Sequence, residues 1–94
     1  MSYRIEYSPQ ADKQAAHLDR KLLKRIQVKI RELAENPLDY RLSKPVTMSP
    51  SRRSARVGDW RIIYYVDEAS RTMFIAAFCP RAKAYEEAVK RGKP

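Results

Sequence analysis

The stretch RRSARV-GD-WRIIYYV, residues 52–66, constrains the fold more than any other part of the chain. Two strand-like runs flank Gly58-Asp59, a dipeptide that suits a two-residue hairpin loop. Within WRIIYYV a period of two places Trp60, Ile62, Tyr64 and Val66 on one face, and Arg61, Ile63 and Tyr65 on the other. Both sets are largely apolar, which predicts a central strand covered at least in part on both sides. A charge heading such a strand is costly unless it is paired or sits at a rim. Arg56 shares a face with Ser54, and pairing through the turn would set it beside Arg61. Neighbouring guanidiniums repel, and an anion between them relieves the repulsion; a phosphate or an acidic partner would serve. The ordinary alternative is that Arg56 pairs with Asp59 or Asp67 at the strand ends.

The remaining elements follow from spacing and punctuation. YRIEY (3–7) alternates as a half-buried strand. Ser8 is placed to cap a helix with Pro9 at its first position. Asp19 is placed to cap a second helix whose inner stripe is Leu22, Ile26, Ile30 and Leu33, ended by Asn36-Pro37. Residues 37–51 hold three prolines and read as loop. A third strand after the hairpin, TMFIAAFC (72–79), stops at Pro80, and residues 82–92 read as a short terminal helix. The expectation is one α+β domain, residues 1–94, in the order β-α-α-β-β-β-α. A small, mainly antiparallel sheet packs on a helical hairpin.

Composition narrows the function classes. Lys and Arg number 20 against 11 Asp and Glu, a net charge of +9, while 44% of the residues are hydrophobic. Such a chain is too apolar for a disordered basic tail, so a folded domain with a polyanionic partner is expected. Nucleic acid suits it better than a membrane, because no cationic helix has a broad apolar face. The longest apolar run, residues 73–79, is far short of a membrane span. No leader is recognisable at the start, so a soluble, cytoplasmic protein is expected. One Cys and one His do not make a zinc site of the usual kind, and neither metal nor cofactor is expected. His17 reads as an ordinary helix residue and Trp60 as a core anchor.

SARVGDWRIIYYVDE (54–68) resembles the core signature of the RelE/ParE toxin superfamily, an R-V-G-[DN]-[YW]-R-[VIL]-[VIL]-Y pattern across a hairpin turn. The likeness continues in RLSKP (41–45) and in PRAKAYEEAVKR (80–91), so it spans essentially the whole chain. It implies the toxin of a type II toxin–antitoxin system. Its RelE-like members are ribosome-dependent endoribonucleases that cut messenger RNA in the A site and inhibit translation. Its ParE-like members inhibit DNA gyrase instead, and a degenerate member would only bind its antitoxin. The partners implied are an acidic, partly disordered antitoxin in a hetero-oligomer, the ribosome and messenger RNA.

Carried over by motif, Arg61 matches the arginine after the turn and Arg56 the basic position before it. Arg81 and Tyr85 match the Arg and Tyr of the terminal segment, and Lys44 matches the basic residue of the preceding loop. These imply a catalytic set of Arg61, Arg81, Tyr85 and Arg56, with Lys44, Arg52, Arg53 and Lys83 as RNA-binding cations. Two positions depart from the pattern. Ser54 replaces a commonly basic residue, and Pro80 stands where many members have His, the easiest general base. Tyr85 is then the remaining candidate for proton transfer, or a surface on which a base stacks.

Overall fold

The computed structural model describes residues 2–46 and 49–80, with the side chain of Pro50 excepted. Strand β1 (Arg4–Tyr7) leads into helices α1 (Pro9–Ala16) and α2 (Arg20–Glu35). Strands β2 (Lys44–Val46), β3 (Ser49–Val57), β4 (Trp60–Asp67) and β5 (Thr72–Pro80) follow. The five-stranded sheet has the order β1-β5-β4-β3-β2. Only β1–β5 pairs in parallel; the other three pairings are antiparallel. The expected α+β architecture is therefore present. The expected helix over 82–92 lies outside the described residues.

The helix starts obey local chemistry. Ser8 accepts at its Oγ from the Ala11 amide at 3.0 Å, with Pro9 at the first helical position. Asp19 accepts from the amides of Lys21 and Leu22 and so satisfies donors that the first turn leaves free. From α2, Ile26, Ile30, Leu33 and Ala34 are buried against the sheet, with Leu22 packed at the margin. Their counterparts on the sheet are Ala55, Val57, Ile62, Tyr64, Met73, Ile75 and Phe78. The stripe of α2 and one face of the central strands thus form the core, as their periodicities require.

Two features depart from a simple strand reading. Part of the proline-rich stretch at 37–51 is strand rather than loop. Pro45 is tolerated because β2 is the edge of the sheet, where a missing amide donor breaks no second ladder. Pro50 lies in β3 before the residues that pair with β4, which begin at Arg52. The second feature is a bulge in β5. Ile63 pairs with Ala77 but Tyr64 pairs with Ile75, leaving Ala76 as the extra residue. The bulge shifts the alternation, so Met73, Ile75 and Phe78 all belong to the helix-side core, while Ala77 and Cys79 join Ile63 on the opposite face. Helix α1 binds the irregular segment: Ser8 donates from Oγ to the Ala76 carbonyl at 2.7 Å, and the Phe78 amide donates to Gln14 Oε1 at 2.7 Å.

A buried polar cluster fixes the connection between α2 and β2. Tyr64, fully buried, donates from its hydroxyl to the Pro37 carbonyl at 2.7 Å and lies 2.6 Å from Ser43 Oγ. Burial pushes the Tyr64 hydroxyl above its ordinary value of 10.0, against smaller opposing effects of Ser43 and Arg53. The folded state therefore holds a neutral phenol at pH values where the unfolded chain ionises. That contribution is complete below about pH 10 and is lost as pH rises through the folded-state value. Tyr64→Phe should cost about 1–3 kcal/mol at neutral pH by leaving buried partners unsatisfied. Urea unfolding at pH 7 and above pH 10 checks both points: the wild type should lose stability more steeply than the variant at high pH.

Candidate functional site

The hairpin register builds the site. Gly58 opens the β3–β4 turn with φ +58°, a conformation that favours glycine. A Cβ there would also lie 3.2 Å from Nη2 of Arg25, which reaches over the turn from α2. Across this turn Arg56 is the direct partner of Arg61, as the sequence implied, and Arg61 in turn partners Cys79. Directly opposed residues share a face. The next row is Lys44, Ser54, Ile63 and Ala77; the third is Arg52, Tyr65 and Phe74. Lys44, Arg52, Arg56 and Arg61 thus stand on one face, opposite the helices.

Ser54 weakens this cationic face less than the sequence suggests, because the exposed Lys44 lies directly across from it. The ordinary pairing of Arg56 does not occur. Among the described residues, no carboxylate lies within ion-pair distance of Arg56 or Arg61. Arg56 instead folds back, donating from Nε to the Gly58 carbonyl at 3.1 Å. Two forked cations at adjacent strand positions, one exposed and one half-buried, suit an anion with several oxygens.

Arg53 stands apart from the other expected RNA-binding cations. Strand alternation turns it to the other face, where it is 8% exposed. Its Nε donates to Ser43 Oγ at 2.8 Å and its Nη2 to the Ser43 carbonyl at 3.1 Å. The guanidinium also lies 5.3 Å from the Tyr40 ring centroid. Nε and Nη2 are thus engaged by the connection before β2, away from the face that carries Arg52 and Arg56. Arg81, Lys83 and Tyr85 lie outside the described residues. His17 is exposed at the end of α1, where it lines a pocket with Trp60, Cys79 and Pro80.

The basic surface continues past the turn. Lys24, Arg25, Lys29 and Arg31 of α2, with Arg56, line an open groove of about 660 Å³. Lys29 pairs with Glu32 at 3.1 Å, and the other cations in the groove have no ion pair among the described residues. The described helices include none long and apolar enough to cross a membrane.

A family profile for the ParE toxin of type II toxin–antitoxin systems matches residues 5–85. The chain belongs to this toxin family. Solved structures agree in fold. An arginine-substituted form of the Escherichia coli toxin RelE in the free state is 23% identical, with a TM-score of 0.80, covering 97% of this chain and 98% of that one. The toxin–antitoxin complex RelBE2 of Mycobacterium tuberculosis gives 25% identity and a TM-score of 0.73, covering 86% of this chain and 100% of that chain. The archaeal RelE–RelB complex of Pyrococcus horikoshii gives 25% and 0.72, covering 89% and 100%. Among curated proteins there is no significant match. The protein is a type II toxin of the RelE/ParE superfamily.

Within the toxin's sheet, sequence reasoning missed the third row. Tyr65 and Phe74 stack with ring centroids 5.0 Å apart and planes 17° apart, and the Arg52 guanidinium lies 5.2 Å from the Tyr65 centroid. Carrying the hairpin register outward from Arg56–Arg61 would have put Arg52 opposite Tyr65. Nothing short of the β5 bulge, however, aligns Phe74 with them.

Proposed function

We propose that this toxin is a RelE-like endoribonuclease that cuts messenger RNA in the ribosomal A site and is neutralised by an acidic antitoxin. The observation that carries the reading is the juxtaposition of Arg56 and Arg61, with Lys44 and Arg52 on the same face and, among the described residues, no carboxylate paired with either arginine. In this reading the ribose 2′-oxygen attacks the adjacent phosphorus, forming a 2′,3′-cyclic phosphate. The bond to the 5′-oxygen breaks, and that oxygen leaves as a hydroxyl after taking a proton. Arg61 and Arg81 hold the phosphate through the transition state, and Arg56 assists. Tyr85 takes the 2′ proton or stacks on a neighbouring base. Lys44, Arg52 and Lys83 hold the flanking strand. The ribosome supplies alignment, which contributes up to about 7–11 kcal/mol and lowers the demand on the toxin's own proton-transfer groups.

A second reading, inhibition of DNA gyrase, is favoured by the ParE profile match and by Ser54 and Pro80. One paired assay separates the two. Ribosomes programmed with messenger RNA should show toxin-dependent cuts leaving 5′-hydroxyl ends, while gyrase supercoiling proceeds normally. Growth arrest with intact message and blocked supercoiling would transfer the assignment to gyrase. The antitoxin is expected from a neighbouring gene, as a small protein with an acidic C-terminal half. Its co-expression should restore growth.

A further inference from the structure

Helix α1 takes over from β1 along the outer edge of β5. Strand β1 pairs with Thr72–Ile75 and then leaves the sheet at Ser8. From Ala76 to Pro80 that edge of β5 has no strand beside it, in the stretch that also contains the bulge. Backbone groups left at such an edge need other partners. The start of α1 supplies the first of them: the Ser8 amide donates to the Ile75 carbonyl at 2.9 Å, and Ser8 Oγ donates to the Ala76 carbonyl at 2.7 Å. Gln14, in the last turn of the helix, supplies the next by accepting at Oε1 from the Phe78 amide at 2.7 Å. Every second amide of a strand points to the same edge, and Pro80 carries none. Gln14 therefore holds the final amide on this edge. The strand end that it holds borders the arginine site. Phe78 precedes Cys79, the direct partner of Arg61, and Pro80 pairs with Trp60. Arg81 follows in the sequence. A pocket of about 630 Å³ lies beside this strand end, lined in part by Gln14, Trp60, Phe78 and Pro80. Packing is incomplete on that side, and the hydrogen bond from α1 matters correspondingly more.

We propose that Gln14 is a positioning residue for the arginine site. Its hydrogen bond to Phe78 fixes the end of β5 against β4, and with it the place of Arg61 and the point from which the segment carrying Arg81 departs. The proposal rests on the RNA-cleaving reading and names what holds its phosphate-gripping groups in register. Such groups act only when they are preorganised, and a displacement of about 1 Å costs up to about 10²-fold in rate. The chemistry required of position 14 is an acceptor at the right reach. A glutamate carboxylate offers that acceptor as well as the glutamine amide does, whereas leucine, of similar size, offers none.

Two measurements test this on the full-length toxin, with Gln14→Leu removing the acceptor and Gln14→Glu keeping it. The first compares single-turnover cleavage on programmed ribosomes, at saturating toxin, with co-sedimentation. Gln14→Leu should cut about tenfold or more slowly while binding ribosomes as the wild type does, and Gln14→Glu should recover the rate to within about threefold. Should Gln14→Leu fail to fold, Gln14→Asn, whose acceptor falls one carbon short, should show the same slowing. A merely structural role would lower stability and leave the rate of the folded, ribosome-bound toxin unchanged, and that result overturns the proposal. So does a Gln14→Glu toxin as slow as Gln14→Leu. In the second, inorganic phosphate is titrated into isotopically labelled toxin and read at the Arg61 Nε signal. Wild type and Gln14→Glu should respond at concentrations about threefold or more below those needed by Gln14→Leu. An equal response in all three overturns the proposal, whatever the ribosome assay gives. A response that follows the acceptor while wild-type toxin leaves ribosomes uncut upholds the positioning role and refutes the nuclease reading.

Discussion

Arg61→Ala should reduce the rate of ribosome-dependent cleavage by about 10²–10³-fold while leaving ribosome affinity nearly unchanged. The rate effect follows the loss of a preorganised donor aimed at developing charge. The affinity should persist because the groove cations of α2, far more numerous, carry the sequence-independent attraction to RNA. Single-turnover cleavage at saturating toxin isolates the chemical step, and co-sedimentation with ribosomes measures binding. Arg56→Ala should have a smaller effect, since its Nε is already engaged by the Gly58 carbonyl. An Arg61→Ala variant that binds weakly yet cuts at the normal rate when saturated would make Arg61 a docking residue instead.

The second large effect concerns stability. Ile62→Ala should lower the unfolding free energy by about 2–5 kcal/mol, and Leu33→Ala by a similar amount. Both side chains are fully buried in the core between the helices and the sheet. A domain of this size has about 5–15 kcal/mol in total, so either change approaches the limit of folding. Chemical denaturation followed by circular dichroism reads the loss directly. A loss below 1 kcal/mol at both positions would mean that the helix–sheet layer is not the main source of stability.

The sequence carried the fold wherever periodicity and punctuation coincided. Ser8-Pro9 and Asp19 marked the helix starts, the four-residue spacing marked the inner face of α2, and Gly58-Asp59 marked the hairpin. Alternation alone was enough to predict that Arg56 and Arg61 would meet. It was not enough for Arg53, because a charged residue next to Arg52 looks the same on either face until the strand's parity is fixed by its neighbours. Only the core positions Ala55 and Val57 show that Arg53 points inward. The strand at Lys44–Val46 was hidden by Pro45, because the meaning of a proline depends on whether a strand is at an edge. The pairing of Tyr65 with Phe74 was hidden by the bulge, which local sequence does not announce.

That bulge sets a condition on how the toxin can vary. Ala76 works as a phase shift in β5: everything before it alternates in one sense and everything after it in the other. Replacing Ala76 by another small residue leaves the phase alone. Deleting it would exchange the sides of Ala77, Phe78 and Cys79 at once, turning an aromatic ring out of the core and a thiol into it. The same slip would detach Cys79 from its place beside Arg61. Buried Ala76 should therefore accept small substitutions but no change in length, and deletion scanning with selection for toxicity would show β5 intolerant of losing a residue there.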